Sequence, residues 1–153
     1  MVEKVISQIK FEISQIDELF DAYSSIVEKT SKKEPDLMEL TVLASVVHSF
    51  YNGMENLFLC IAKRIDHNVP AGDRWHRDLL NQMGIAKPER NQVLSQGLLE
   101  KLIDYLGFRH FYRHSYSFTI QWEELEKLII PIETLWNQVK QELEIFLVSV
   151  EKC

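Results

Sequence analysis

The sequence is short of the residues that break or cross-link a chain. Five glycines and four prolines in 153 residues leave few places for tight turns, because glycine supplies left-handed backbone and proline ends helices. That scarcity works against a fold of many short strands and favours long helices. The two cysteines, Cys60 in an apolar stretch and Cys153 at the last position, stand far apart. A buried thiol and a loose terminal one suit that placement better than a bridge, which points to a reducing, cytoplasmic setting. No apolar run approaches the roughly 18 residues of a membrane span, and Glu3, Lys4 and Lys10 interrupt the first apolar residues, unlike a secretory leader. An excess of positive charge is also missing. A net charge of −6 argues against a general nucleic-acid coat protein, which depends on surplus Lys and Arg. It leaves room for a small basic cleft on an acidic body.

What is present is an apolar fraction of 46% in a chain long enough for one domain, residues 1–153, with a real core. The apolar residues recur at helical spacing. Over residues 2–30, Val5, Ile6, Ile9, Ile13, Ile16, Leu19, Phe20, Tyr23 and Ile26 mark one face. Lys32-Lys33-Glu34-Pro35 interrupts it, and Pro35 fits the first turn of a second helix over about 36–66. Its stripe is Leu40, Leu43, Val47, Phe50, Met54, Leu57, Ile61 and Ile65. After the loop at 67–72, Asp73 can cap a short helix that runs to Met83 and ends at Gly84. Pro88 opens the next long helix, with Leu94, Leu98, Leu99, Leu102, Ile103 and Leu106. The last starts near Trp122 and should kink at Pro131. Four long helices and a short one, with no strand-type alternation, predict an all-α antiparallel bundle.

The third long helix ends in Arg109-His110-Phe111-Tyr112-Arg113-His114-Ser115-Tyr116. Leu99, Ile103, Leu106, Arg109, Arg113 and Tyr116 follow at steps of three and four, so an apolar seam continues as a cationic and phenolic one. Such a stripe is costly on a core face unless it meets anions, water or a second subunit; either the helix leaves the bundle here or these groups line a cleft. A helix end where Arg and His complement the macrodipole is the plainer account. Arg109 pairs a fixed cation with His114, a group that titrates near neutrality, and that pair suits metal-free attack on a phosphodiester. On an ideal helix the two stand roughly 140° apart. Convergence therefore needs the helix to end near Ser115 or the same segment of a second copy to complete the pocket. His110 and His114 also have the spacing of zinc ligands, but Arg109 and Arg113 would repel a dication and a third ligand is not evident among His67, His76, Asp66 and Asp78; no metal is expected.

The ordered Arg109, four residues, His114, one residue, Tyr116, near the end of a long helix in a small acidic helical protein, resembles the HEPN superfamily and, more narrowly, the HepT-type ribonuclease toxins. The resemblance implies a homodimer whose two motifs meet in a cleft and cut RNA without metal or other cofactor. Arg109 and His114 would be the catalytic pair, with one His114 accepting the ribose proton and the partner copy's equivalent protonating the leaving oxygen. Tyr116 would support the site and accept AMP from a small nucleotidyltransferase antitoxin of the MNT type. His110 and Arg113 are candidate RNA contacts. Asn52 and Glu55, which interrupt the second helix, match the polar residue such proteins often add to the cleft, although an exposed helix face explains them equally well. In Asp73-Arg74-Trp75-His76-Arg77, packing through Trp75 accounts for the pattern better than RNA contact. A non-catalytic RNA- or nucleotide-binding module is the alternative, and a helical protein that contacts an acidic partner is a third.

Overall fold

The computed structural model describes residues 2–152; Cys153 lies outside them. Among the described residues the chain forms six α-helices, α1 (Val2–Lys29), α2 (Leu37–Arg64), α3 (Trp75–Gln82), α4 (Gln96–His114), α5 (Trp122–Ile129) and α6 (Ile132–Glu151), and a single 3-10 turn at Ser117–Thr119. The all-helical bundle is the one the periodicity predicts.

Helix α1 buries Val5, Ile6, Ile9, Ile13, Ile16 and Phe20, one face at steps of three and four, each worth about 1.5–3 kcal/mol of transfer free energy. Tyr23, counted in that stripe, is exposed. The partner of this face is α2. At their crossing stands Gly53: a β-carbon there would lie 2.7 Å from Cγ1 of Ile16, so the missing side chain permits the close approach. Helix α2 is the hub of the core. The Phe50 ring lies 5.7 Å from that of Phe20, 5.5 Å from Tyr105 and 6.2 Å from Trp136, which joins α1, α4 and α6 around one aromatic centre. A capping box starts α2: Asp36 accepts from the Glu39 backbone N–H at 2.8 Å and the Glu39 carboxylate accepts from the Asp36 N–H at 3.1 Å. Pro35 thus precedes the cap instead of opening the helix.

Three further boundaries differ from the sequence-based expectation. Helix α3 begins at Trp75 after Arg74, with no side-chain cap, so Asp73 does not cap it. Pro88 does not open α4. Residues 85–95 form a turn in which the Arg90 guanidinium, fully buried, donates to Asp66, to the carbonyls of Ile85 and Gln82, and to that of Asn91. A helix from Pro88 would pull that guanidinium out of its cage. Helix α4 instead starts after Ser95, whose backbone N–H and hydroxyl both donate to the Glu142 carboxylate of α6, at 2.7 and 3.0 Å. That anion sits where the helix dipole favours it. Finally, Pro131 breaks the last helix into α5 and α6, where a kink was expected. Cys60 is buried and free, as its apolar surroundings predict.

Candidate functional site

Helix α4 turns one face inward and a second toward α3. Leu98, Leu99, Leu102, Tyr105 and Phe108 are buried in the core. The neighbouring stripe, Ile103, Leu106, Arg109 and Arg113, forms one wall of a groove of about 790 Å³; Arg74, His76 and Arg77, from the start of α3, form the other. Of the cationic and phenolic stripe, Arg109 and Arg113 line this groove, whereas Tyr116, beyond the end of α4, does not. Four arginines and the three histidines His76, His110 and His114 line it, against one carboxylate, Asp73. A basic concavity thus opens on a body of net charge −6, which focuses an attractive field for anions at one place.

Below this groove lies Glu55. It is 5% exposed, and a buried carboxylate is costly unless paired. Its Oε1 is 3.2 Å from Nε of Arg109 and its Oε2 is 2.6 Å from Nδ1 of His76. Asn52, one turn earlier on α2, accepts from the same Arg109 Nε at 3.3 Å. The hydrogen bond to Asn52 uses one of the five guanidinium N–H groups; among the described residues the two Nη groups, the paired donors that fit phosphate oxygens, make no hydrogen bond. Asn52 and Glu55 therefore hold Arg109 from behind. The His76 ring lies on the indole of Trp75, centroids 3.6 Å apart, and Trp75 packs half-buried against the core.

His114 is the last residue of α4, and Ser115 turns extended, with φ −120° and ψ 158°. Arg109 and His114 line the same groove despite their angular offset. His114 and His110 are exposed, with ring centroids 4.6 Å apart. Arg113 is exposed as well. Among the described residues no group of three or more His, Cys, Asp and Glu is placed to hold a metal ion. Tyr116 is 74% exposed, and its ring stacks on Phe118, centroids 5.7 Å apart at 13°.

Two further side chains stand close by. The His48 ring lies 4.4 Å from that of Tyr112, and its Nδ1 meets Nδ2 of Asn52 at 3.4 Å. Burial, then the charges of Arg109 and Arg113, push its pKa below the ordinary histidine value, with Glu55 opposing weakly. It is a neutral ring in neutral solution. The Tyr51 hydroxyl is buried and has no partner among the described residues; burial first, then the Glu55 charge, drives its pKa far above that of a free phenol. The Tyr51 phenol is not set to exchange protons at neutral pH.

The residue that sequence reading undervalued is His76. Its contact with Glu55 spans 21 positions and exists only because the loop after α2 returns α3 to it. The available signal was Glu55 itself, a carboxylate between Met54 and Leu57 on the apolar side of α2.

No curated protein and no solved structure matches the chain. A family model described as HepT-like protein matches residues 42–150, from within α2 to near the end of α6, and so includes every groove residue named above. That match covers well over half of the chain and agrees with the all-helical bundle: the protein belongs to the HepT-like family, a HepT-type branch of the HEPN superfamily.

Proposed function

We propose that the protein is a metal-independent endoribonuclease of the toxin type, cutting RNA by attack of a ribose 2′-hydroxyl on the adjacent phosphorus. The observation that carries this reading is the placement of Arg109 and His114 on one basic groove, with Arg109 held at Nε by Glu55 and Asn52. Arg109 holds the non-bridging oxygens as charge builds on them, and His114 performs one of the two proton transfers the reaction needs. His110, Arg113, Arg74 and Arg77 line the path of the flanking phosphates. Asn52 and Glu55 act by holding Arg109, since Glu55 is buried and already shared by two cations. The products are a 2′,3′-cyclic phosphate and a 5′-hydroxyl, and DNA resists because it lacks the nucleophile. The protein works as a homodimer that closes the groove over the strand.

Tyr116 is the site of control. Its phenol stands at the end of α4, open to solvent, where a nucleotidyltransferase antitoxin of the MNT type can reach it and attach AMP. Tyr116 does not itself line the groove, so the added AMP acts from beyond the end of α4, where its phosphate brings an anion. No helix among the described residues is long and apolar enough to cross a membrane.

The test is incubation of purified protein with total RNA or tRNA in EDTA, followed by end-group analysis. Cleavage with cyclic-phosphate ends that is lost in His114→Ala supports the reading. RNA that is bound but left intact refutes it in favour of a non-catalytic binding module. Co-expression with a neighbouring nucleotidyltransferase should raise the mass of the protein by whole AMP units, and Tyr116→Phe should abolish that shift.

A further inference from the structure

The groove contains a second imidazole, better fixed than His114. His76 enters from α3, and its Nδ1 lies 2.6 Å from Oε2 of Glu55. A carboxylate whose other oxygen meets the Arg109 guanidinium is an acceptor, so Nδ1 carries the proton and Nε2 is the basic nitrogen of the neutral ring. The Trp75 indole fixes the ring plane. The side chain keeps 25% of its surface exposed, and it does so inside the groove shared with Arg109 and His114. One buried carboxylate thus orients a base with one oxygen and the phosphate-holding cation with the other. His114, by contrast, has as its ring neighbour among the described residues the exposed His110.

Cleavage by a 2′-hydroxyl needs two proton transfers, one from the nucleophile and one to the leaving group. Resting on the ribonuclease reading above, we infer that His76 is the general base of this reaction and Glu55 its positioning residue. Nε2 of His76 takes the proton of the 2′-hydroxyl while O2′ bonds to phosphorus. The bond from phosphorus to O5′ breaks, and O5′ takes its proton from the His114 imidazolium. Proton exchange with water then resets both imidazoles for the next turnover.

The experiment measures kcat/KM against pH on an RNA oligonucleotide for the full-length protein, His76→Ala, Glu55→Gln and His114→Ala. His76→Ala should lower the rate by about 10²- to 10⁴-fold, erase the limb that rises with pH, and recover part of its rate in added imidazole. Glu55→Gln should give a smaller loss and displace that limb. A His76→Ala protein that cuts within threefold of the parent while His114→Ala is inactive overturns the role of His76 and leaves the ribonuclease reading intact. A slow His76→Ala protein that keeps both limbs overturns it too, because the loss is then structural. A parent protein that cuts no RNA overturns both readings. Should His76→Ala not fold, histidine nitrogen NMR on the parent decides: with a 2′-O-methyl oligonucleotide added, the Nε2 resonance of His76 must move, and a stationary one refutes the assignment.

Discussion

Arg109 meets Glu55 and Asn52 at Nε, while its paired Nη donors suit a phosphate. A lysine at that position keeps a positive charge against the buried carboxylate but loses the planar pair of donors. Arg109→Lys should therefore stay within about 1 kcal/mol of the parent in denaturant unfolding, because Glu55 keeps a cation beside it, while its cleavage rate falls by about 10²- to 10³-fold, the usual result of removing one transition-state donor. Parental activity in the lysine variant would mean that charge suffices. His48 permits a stability prediction. Its pKa in the folded protein lies below the ordinary 6.5, first through burial, then through Arg109 and Arg113, against Glu55. Between the two values the unfolded chain binds the extra proton, so stability rises with pH across that window and is lost as pH falls below about 6.5. The thermal midpoint should drop on acidification from pH 7.5 to 5.5, and His48→Gln should flatten that drop; an equally steep fall in the variant would assign it to other groups. Arg109, His114 and Tyr116 could be picked out in the sequence because ordered spacing on one helix is a local property. The grip of Glu55 on Arg109 and His76 could not, because it joins three helices.

At the scale of elements, the turn at 85–95 depends on one internal ion pair. Arg90 and Asp66 are both fully buried, and Nη2 of Arg90 lies 2.8 Å from Oδ2 of Asp66, with Gln82 donating to the same oxygen at 2.7 Å. Removing one partner strands a buried charge, at a cost of about 3–5 kcal/mol. Asp66→Ala should lose about that much stability in urea titration and loosen the start of α4, whereas Asp66→Leu combined with Arg90→Met should recover most of it. If the single variant costs under 1 kcal/mol, the pair is not an anchor. This pair also explains why Pro88 misled as a helix start. Proline is compatible with a first helical turn, yet the carbonyls of Ile85 and Gln82 are needed by Arg90. The long apolar stripes of α1, α2 and α6 were legible because packing follows a helical period over five or more turns. The caps and turns between them were not, because each is settled by a partner distant in sequence, as Glu142 settles the start at Ser95.

For the whole molecule the question is how a protein of net charge −6 attracts a polyanion. Its cations are gathered: Arg74, Arg77, Arg109 and Arg113 face one another across the groove, while much of the remaining surface repels. Binding should then be local and limited in its salt dependence. With three or four phosphates neutralised, the affinity for single-stranded RNA should fall with a log–log slope of about −2 to −3, a loss of about 20- to 50-fold between 50 and 200 mM salt. Fluorescence anisotropy with a 2′-O-methyl oligonucleotide, which cannot be cut, reads this directly. Replacing Arg74 and Arg77 together by glutamine should reduce the slope by about 1.4, two phosphate contacts at about 0.7 each, without touching the Arg109–Glu55 pair. A slope indistinguishable from zero would remove the groove as the RNA site, and a slope unchanged in the double variant would confine binding to the α4 wall. AMP on Tyr116 adds a phosphate anion at the end of that wall, so the modified protein should bind the same oligonucleotide more weakly at low salt than at high salt relative to the unmodified one, the signature of repulsion that screening relieves.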